Sequence, residues 1–76
     1  MDKAKFLTRM NEILELEPGT LQGHEALDEL DGWDSMAMVE FQAFADAELG
    51  IELDARRIQG CETVGELMQL VAAKAA

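Results

Sequence analysis

Disulfide bonding within this chain is impossible, because Cys61 is the only cysteine among 76 residues. Nothing therefore points to a secreted, cross-linked scaffold, and Cys61 is expected to be a small buried apolar residue rather than a nucleophile. Tyrosine is absent and proline occurs once, at Pro18. Basic residues are scarce: six Lys and Arg stand against sixteen Asp and Glu, a formal net charge of −10. This balance disfavours nucleic acids and anionic membrane surfaces as partners, because both attract clustered Lys and Arg. It favours partner proteins with basic patches, found quickly and in a salt-sensitive way. The deficit is uneven. No Lys or Arg lies between Arg9 and Arg56, whereas 13 acids do. No apolar run approaches a membrane span or a signal-peptide core, so the expected location is the cytoplasm. The length suits one domain, residues 1–76, which is too small to enclose a deep water-free active site. Repeats, low-complexity segments and linkers are also lacking.

What is present reads as helix. Apolar residues make up 49% of the chain, enough for a packed core. Phe6, Leu7, Met10, Ile13 and Leu14 share one face of a helix over about Asp2–Leu16, stopped by Glu17-Pro18-Gly19. A long connection follows over residues 18–34, fastened by Leu21, Leu27 and Leu30. A second helix runs from Asp34-Ser35 to about Leu49, with Gly50 as its stop. Ile51 and Leu53 alternate with Glu52, and Asp54 caps a short helical turn through Ile58. Thr63 and Glu66 fit a capping box opening the last helix, with Val64, Leu67, Met68 and Val71 as its buried stripe. The architecture expected is all-α, a small four-helix bundle of three main helices and one short one.

Ser35 is the chain's single serine. It opens the most apolar helix, and either Asp34 or Ser35 fits the N-cap role. A negatively charged group on Ser35 would lie where free N–H groups and the helix dipole stabilise it. The helix itself carries two apolar stripes. Met38, Phe41, Ala45 and Leu49 have the larger side chains and should face the core. Met36, Val39, Ala43 and Ala47 lie roughly opposite, bordered by Glu40 and Asp46. Such a strip with an acidic rim is either buried in the bundle or a docking surface beside the serine.

The stretch Gly32-Trp33-Asp34-Ser35-Met36 resembles the Asp-Ser-Leu attachment motif of the acyl carrier protein family, with Met for Leu. Val39-Glu40, Leu49-Gly50-Ile51-Glu52-Leu53 and Thr63-Val64-Gly65-Glu66-Leu67 are similar to that family's second helix, its end and the start of the last helix. The likeness extends from about Phe6 to Val71. It implies a four-helix bundle and covalent 4′-phosphopantetheine on Ser35, donated by coenzyme A through a phosphopantetheinyl transferase, with Asp34 as motif neighbour. Acyl groups would ride on the arm as thioesters between partner enzymes of a fatty-acid, polyketide-like or specialised pathway. The resemblance also implies partner contacts at Met36, Val39 and Glu40, made by acyl-activating and acyl-transferring enzymes, with the carrier acting as a monomer and catalysing nothing itself. Ala37 and Ala47 stand where fatty-acid carriers often have acids. Trp33 beside the motif is common in free-standing carriers of specialised pathways, and the reading leans there.

Other readings fare less well. His24 is the only histidine, and no oxyanion hole accompanies Ser35, so a hydrolase lacks its parts; His24 is expected to be an exposed loop residue. An EF-hand alignment on Gly32 puts Leu27 and Met38 where carboxylates are needed, and zinc has too few ligands. A discrete aminoacyl carrier of the D-alanyl type and an unmodified acidic interaction module remain as alternatives.

Overall fold

The computed structural model describes residues 2–75. It consists of α1 (Lys3–Ile13), α2 (Ser35–Leu49), α3 (Ala55–Gln59) and α4 (Val64–Ala75). The all-α expectation holds, with three main helices and a short one around one apolar core. Phe6, Met10, Phe41, Ile58, Val64 and Leu67 are its fully buried centre. They come from all four helices, so no helix can leave without exposing part of it.

Helix α1 ends earlier than its sequence pattern suggests. Asp2 caps its start by accepting a hydrogen bond from the Lys5 N–H at 2.8 Å. Its close lies at Leu14, ahead of Pro18. The Glu15 N–H donates to the Glu12 carbonyl and the Leu16 N–H to the Asn11 carbonyl, the paired bonds of a Schellman turn. Glu15 adopts φ +57°, a left-handed conformation costing a non-glycine residue about 1–2 kcal/mol. The physical reason is the placement of Leu14 and Leu16. On a continuing helix they would point about 200° apart. Turning at Glu15 lets Leu14 enter the core and Leu16 pack against it.

The long connection is pinned more firmly than three leucines imply. Leu21 and Leu27 are buried and Leu30 packs against the core. Residues Leu27–Glu29 form a 3-10 turn that the sequence reading leaves as plain loop. Buried Asn11 accepts the Leu21 N–H on its Oδ1 at 3.3 Å, tying the start of the connection to α1. Further along, Ala26 and Thr63 form an isolated antiparallel bridge. The Leu27 N–H donates to the Glu62 carbonyl, the Val64 N–H to the Glu25 carbonyl, and the Gly65 N–H to the Gly23 carbonyl at 2.7 Å. The expected capping box is present: the Glu66 N–H donates to Thr63 Oγ1 and the Thr63 N–H to Glu66 Oε2. The first amides of α4 are thus shared between its own cap and the connection.

This docking leaves no room at Gly65. A Cβ there would lie 2.8 Å from the Gly23 carbonyl oxygen, a backbone atom. We expect Gly65→Ala to cost about 1–3 kcal/mol through overpacking, read as a lower denaturant midpoint with unchanged slope. The same junction carries a pH dependence. Burial opposes the charge of Glu25, but hydrogen bonds from the Gln22, Gly23 and Glu25 N–H groups outweigh it, with help from His24. The carboxyl therefore sits below the ordinary glutamate value. Its carboxylate oxygens accept the Gln22 and Gly23 N–H groups at 2.8 and 2.9 Å. A carboxyl depressed on folding stabilises the fold above its unfolded pKa, and that contribution disappears as pH falls through the folded one. The stability difference between wild type and Glu25→Gln should be full at neutral pH and vanish in acid, as followed by thermal midpoints across a pH series.

Glycine punctuates α2 as the pattern predicts. Gly50 takes φ +65° and its N–H closes the helix onto Ala45 and Asp46. Ile51 and Leu53 are then buried while Glu52 is exposed. Asp54 caps α3 through the Arg56 N–H at 2.9 Å. In α4, Val64, Leu67 and Val71 are buried and Met68 packs at the edge.

Candidate functional site

The site grows from the junction between the connection and α2. The Trp33 N–H donates to the Leu30 carbonyl and the Asp34 N–H to the Gly32 carbonyl. Gly32 lies against α1: a Cβ on it would meet the Leu14 carbonyl oxygen at 3.1 Å. The Trp33 ring packs edge-on to Phe41, centroids 6.3 Å apart. Phe41 in turn meets Phe6 at 6.0 Å and Phe44 at 6.1 Å. The residues before Ser35 are therefore held on one side by the end of α1 and on the other by the aromatic core. Sequence reasoning gave Trp33 no structural task. Trp33 precedes the N-cap of α2, so helical spacing could not place it against Phe41 and the contact is a tertiary one.

Asp34 is the N-cap of α2. Its Oδ1 accepts the Ala37 N–H at 2.9 Å. This decides a matter that local sequence leaves open, since Ser35 is as good a capping type as Asp. With Asp34 in that role, the Ser35 hydroxyl is not consumed as the cap. Ser35 is exposed as the first helical residue. The leading N–H groups of a helix lack intrahelical acceptors, and the helix dipole adds positive potential there. The residues present thus fit a phosphodiester: a reachable hydroxyl, amides beside it, and a rigid support behind it.

The two faces of α2 separate, with one correction. Phe41 and Ala45 are buried as expected, but Met38 and Leu49 are only partly so. Ala37 and Phe44, each 3% exposed, complete the core face in their place. The helix is turned so that the Phe41–Phe44 side meets α1, because two aromatic rings fill that contact better than Leu49 at the end of the helix. The opposite strip is open to solvent: Met36 is 71% and Val39 62% exposed, and Ala43, Ala47, Glu40 and Asp46 are exposed too. Of the two arrangements left open by the sequence pattern, burial of both stripes is thereby excluded.

Arg9 is a feature that the sequence reading passed over. It pairs with Glu12 at 3.2 Å and with Glu48 of α2. Its guanidinium lies 5.1 Å above the Phe44 ring, a favourable position for a cation. Cys61 corrects an expectation: it is half-buried rather than buried, and its thiol donates to the Arg57 carbonyl at 3.4 Å. Burial, then the Glu66 charge, pushes this thiol above its ordinary value, so it stays protonated at neutral pH and is a poor nucleophile. His24 is exposed in the connection. Among the described residues, no three His, Cys, Asp or Glu gather to hold a metal ion, and no helix is long and apolar enough to cross a membrane.

The chain thus presents an exposed serine at the head of a two-faced helix in a small helical bundle. The family model described as phosphopantetheine attachment site matches residues 4–71, and the chain belongs to this family, that of the acyl carrier proteins. It is similar to a curated protein named acyl carrier protein from Saccharopolyspora erythraea, with 28% identity over 75 residues, covering 92% of this chain and 78% of the relative. No solved structure matches the chain significantly. The cofactor of the family is covalently attached 4′-phosphopantetheine, and its members are carriers that work with phosphopantetheinyl transferases and acyl-handling enzymes.

Proposed function

We propose that the chain acts as one carrier domain, that Ser35 bears the 4′-phosphopantetheine, and that the arm serves acyl intermediates of a specialised pathway. The observation that carries this reading is the division of labour at the head of α2: Asp34 caps, leaving the exposed Ser35 hydroxyl available. When bound, the arm supplies a flexible thiol that holds acyl groups as thioesters, whose thiolate leaves more readily than an alkoxide. The chain's own residues present and stabilise. Asp34 holds the helix start in place and offers the transferase a negative charge next to the hydroxyl. Gly32 and Trp33 fix that start against Leu14 and Phe41. Catalysis resides in the partner enzymes. We assign their contacts to Met36, Val39 and Glu40, on the exposed strip beside Ser35. Coenzyme A is an intracellular donor, so loading is a cytoplasmic step.

The test is intact mass after incubation with coenzyme A and a broad-range phosphopantetheinyl transferase. A gain of one arm supports the reading; an unchanged mass in the folded protein overturns it. Loading the product with fatty-acyl or with amino-acid activating enzymes then separates acyl from aminoacyl cargo. A second expectation follows from the net charge of −10. Surface charges more than about 8 Å apart are largely screened at 0.15 M salt. The rate of partner encounter should therefore fall steeply with ionic strength. Stopped-flow loading rates that stay level from low to high salt would argue against acidic steering.

A further inference from the structure

The fold uses only part of the Trp33 side chain. Its indole packs edge-on against Phe41, ring centroids 6.3 Å apart, and so joins the rim of the core. The residue is nevertheless only half-buried, which leaves part of the ring open to solvent. Among the described residues no group accepts its indole N–H. The buried side-chain nitrogen without a partner is Arg9 Nε, so the indole N–H is open to solvent as well. Ser35 stands two residues further on, which holds the two Cα atoms within about 7 Å of each other. Beyond the free amides at the head of α2, the surroundings offer a tethered group little else to bind. No Lys or Arg lies between Arg9 and Arg56, and the flanking Asp31 and Asp34 are exposed acids.

The pantetheine arm carries two methyl groups on one carbon close to its phosphate, then a hydroxyl and two amides. Resting on the carrier reading above, we propose that the open part of Trp33 is a docking place for this first portion of the arm. The paired methyl groups cover the indole face, which removes apolar area of both from water. The indole N–H, a donor only, donates to an oxygen of the arm. Phe41 already holds the ring in place, so docking costs little side-chain freedom. The thiol lies beyond both amides and stays free. Trp33 thus keeps the root of the arm close to the head of α2, while partner enzymes take up the thiol end.

The experiment follows Trp33 fluorescence in the full chain, before and after loading by coenzyme A and a broad-range phosphopantetheinyl transferase. Intact mass confirms the gained arm, and Trp33 is the only tryptophan, so the signal has one source. Loading should move the emission to shorter wavelength. The acrylamide quenching constant should fall by roughly half, because a docked arm shields the ring for most of the time. Ser35→Glu places a negative charge at the same position without an arm, and its emission and quenching should match the unloaded wild type. Unchanged emission and quenching in a chain that carries the arm would overturn the proposal, while the carrier reading stands. A Ser35→Glu protein that reproduces the change would overturn it too, since charge alone would then account for the signal. If no arm is gained, the carrier reading falls and the role of Trp33 falls with it.

Discussion

Replacing Ser35 by Ala should abolish loading completely while leaving the bundle folded. Ser35 is exposed, is not the N-cap, and makes no contribution to the buried core. Alanine is also the best helix former, so the start of α2 loses nothing in propensity. The thermal midpoint should stay within a degree or two of wild type, consistent with the small effects of most surface changes. The mass gain seen with coenzyme A and transferase should vanish. Asp34→Ala gives the complementary pattern. Loss of the bond from the Ala37 N–H removes an N-cap worth about 0.5–2 kcal/mol, so the midpoint falls, whereas loading slows but persists. A folded Ser35→Ala protein that still gains an arm would place the attachment elsewhere.

Phe41→Ala should have the largest effect on stability. Phe41 is fully buried and joins three partners: Phe6 from α1, Trp33 from the connection and Phe44 from its own helix. Truncating a buried Phe costs about 3–5 kcal/mol, and edge-to-face aromatic pairs add about 0.5–1.5 kcal/mol each beyond their area. A domain of this size is stable by only about 4–11 kcal/mol, at roughly 0.05–0.15 kcal/mol per residue. The variant should therefore be largely unfolded at physiological temperature. Trp33 is the only tryptophan, so its fluorescence reports on the contact directly. Because Trp33 lies next to Asp34 and Ser35, loading by the transferase should fail together with the fold. A Phe41→Ala protein with native midpoint and native emission would disprove the central place given to this ring.

The two variants divide the protein into what can be read locally and what cannot. Helix starts and stops at Asp34, Gly50, Asp54 and Thr63 were legible, since each depends on backbone groups within a few residues. Membership of the family was legible in the likeness of short stretches such as Gly32-Trp33-Asp34-Ser35-Met36. The capping role was not, because Asp and Ser satisfy the same free amides and only coordinates distinguish them. The end of α1 was misplaced by sequence because Pro18 is a strong local stop, while the actual stop at Glu15 answers a distant demand from the core for Leu14 and Leu16. Asn11 gave no signal: a lone polar residue on an apolar face looks like an interruption until the Leu21 N–H is seen to need its oxygen.

Composition and short-range pattern were enough to establish a helical, strongly acidic chain with a single serine at the head of its most apolar helix. Those properties depend on charge, propensity and neighbours along the backbone, which are written in order in the chain. Three-dimensional packing settled which face of α2 is buried, which side chain caps it, and that Arg9 reaches across to Glu48. Each of these is a contest among residues far apart in the chain, and its winner depends on how rings, charges and free amides fit once the helices meet.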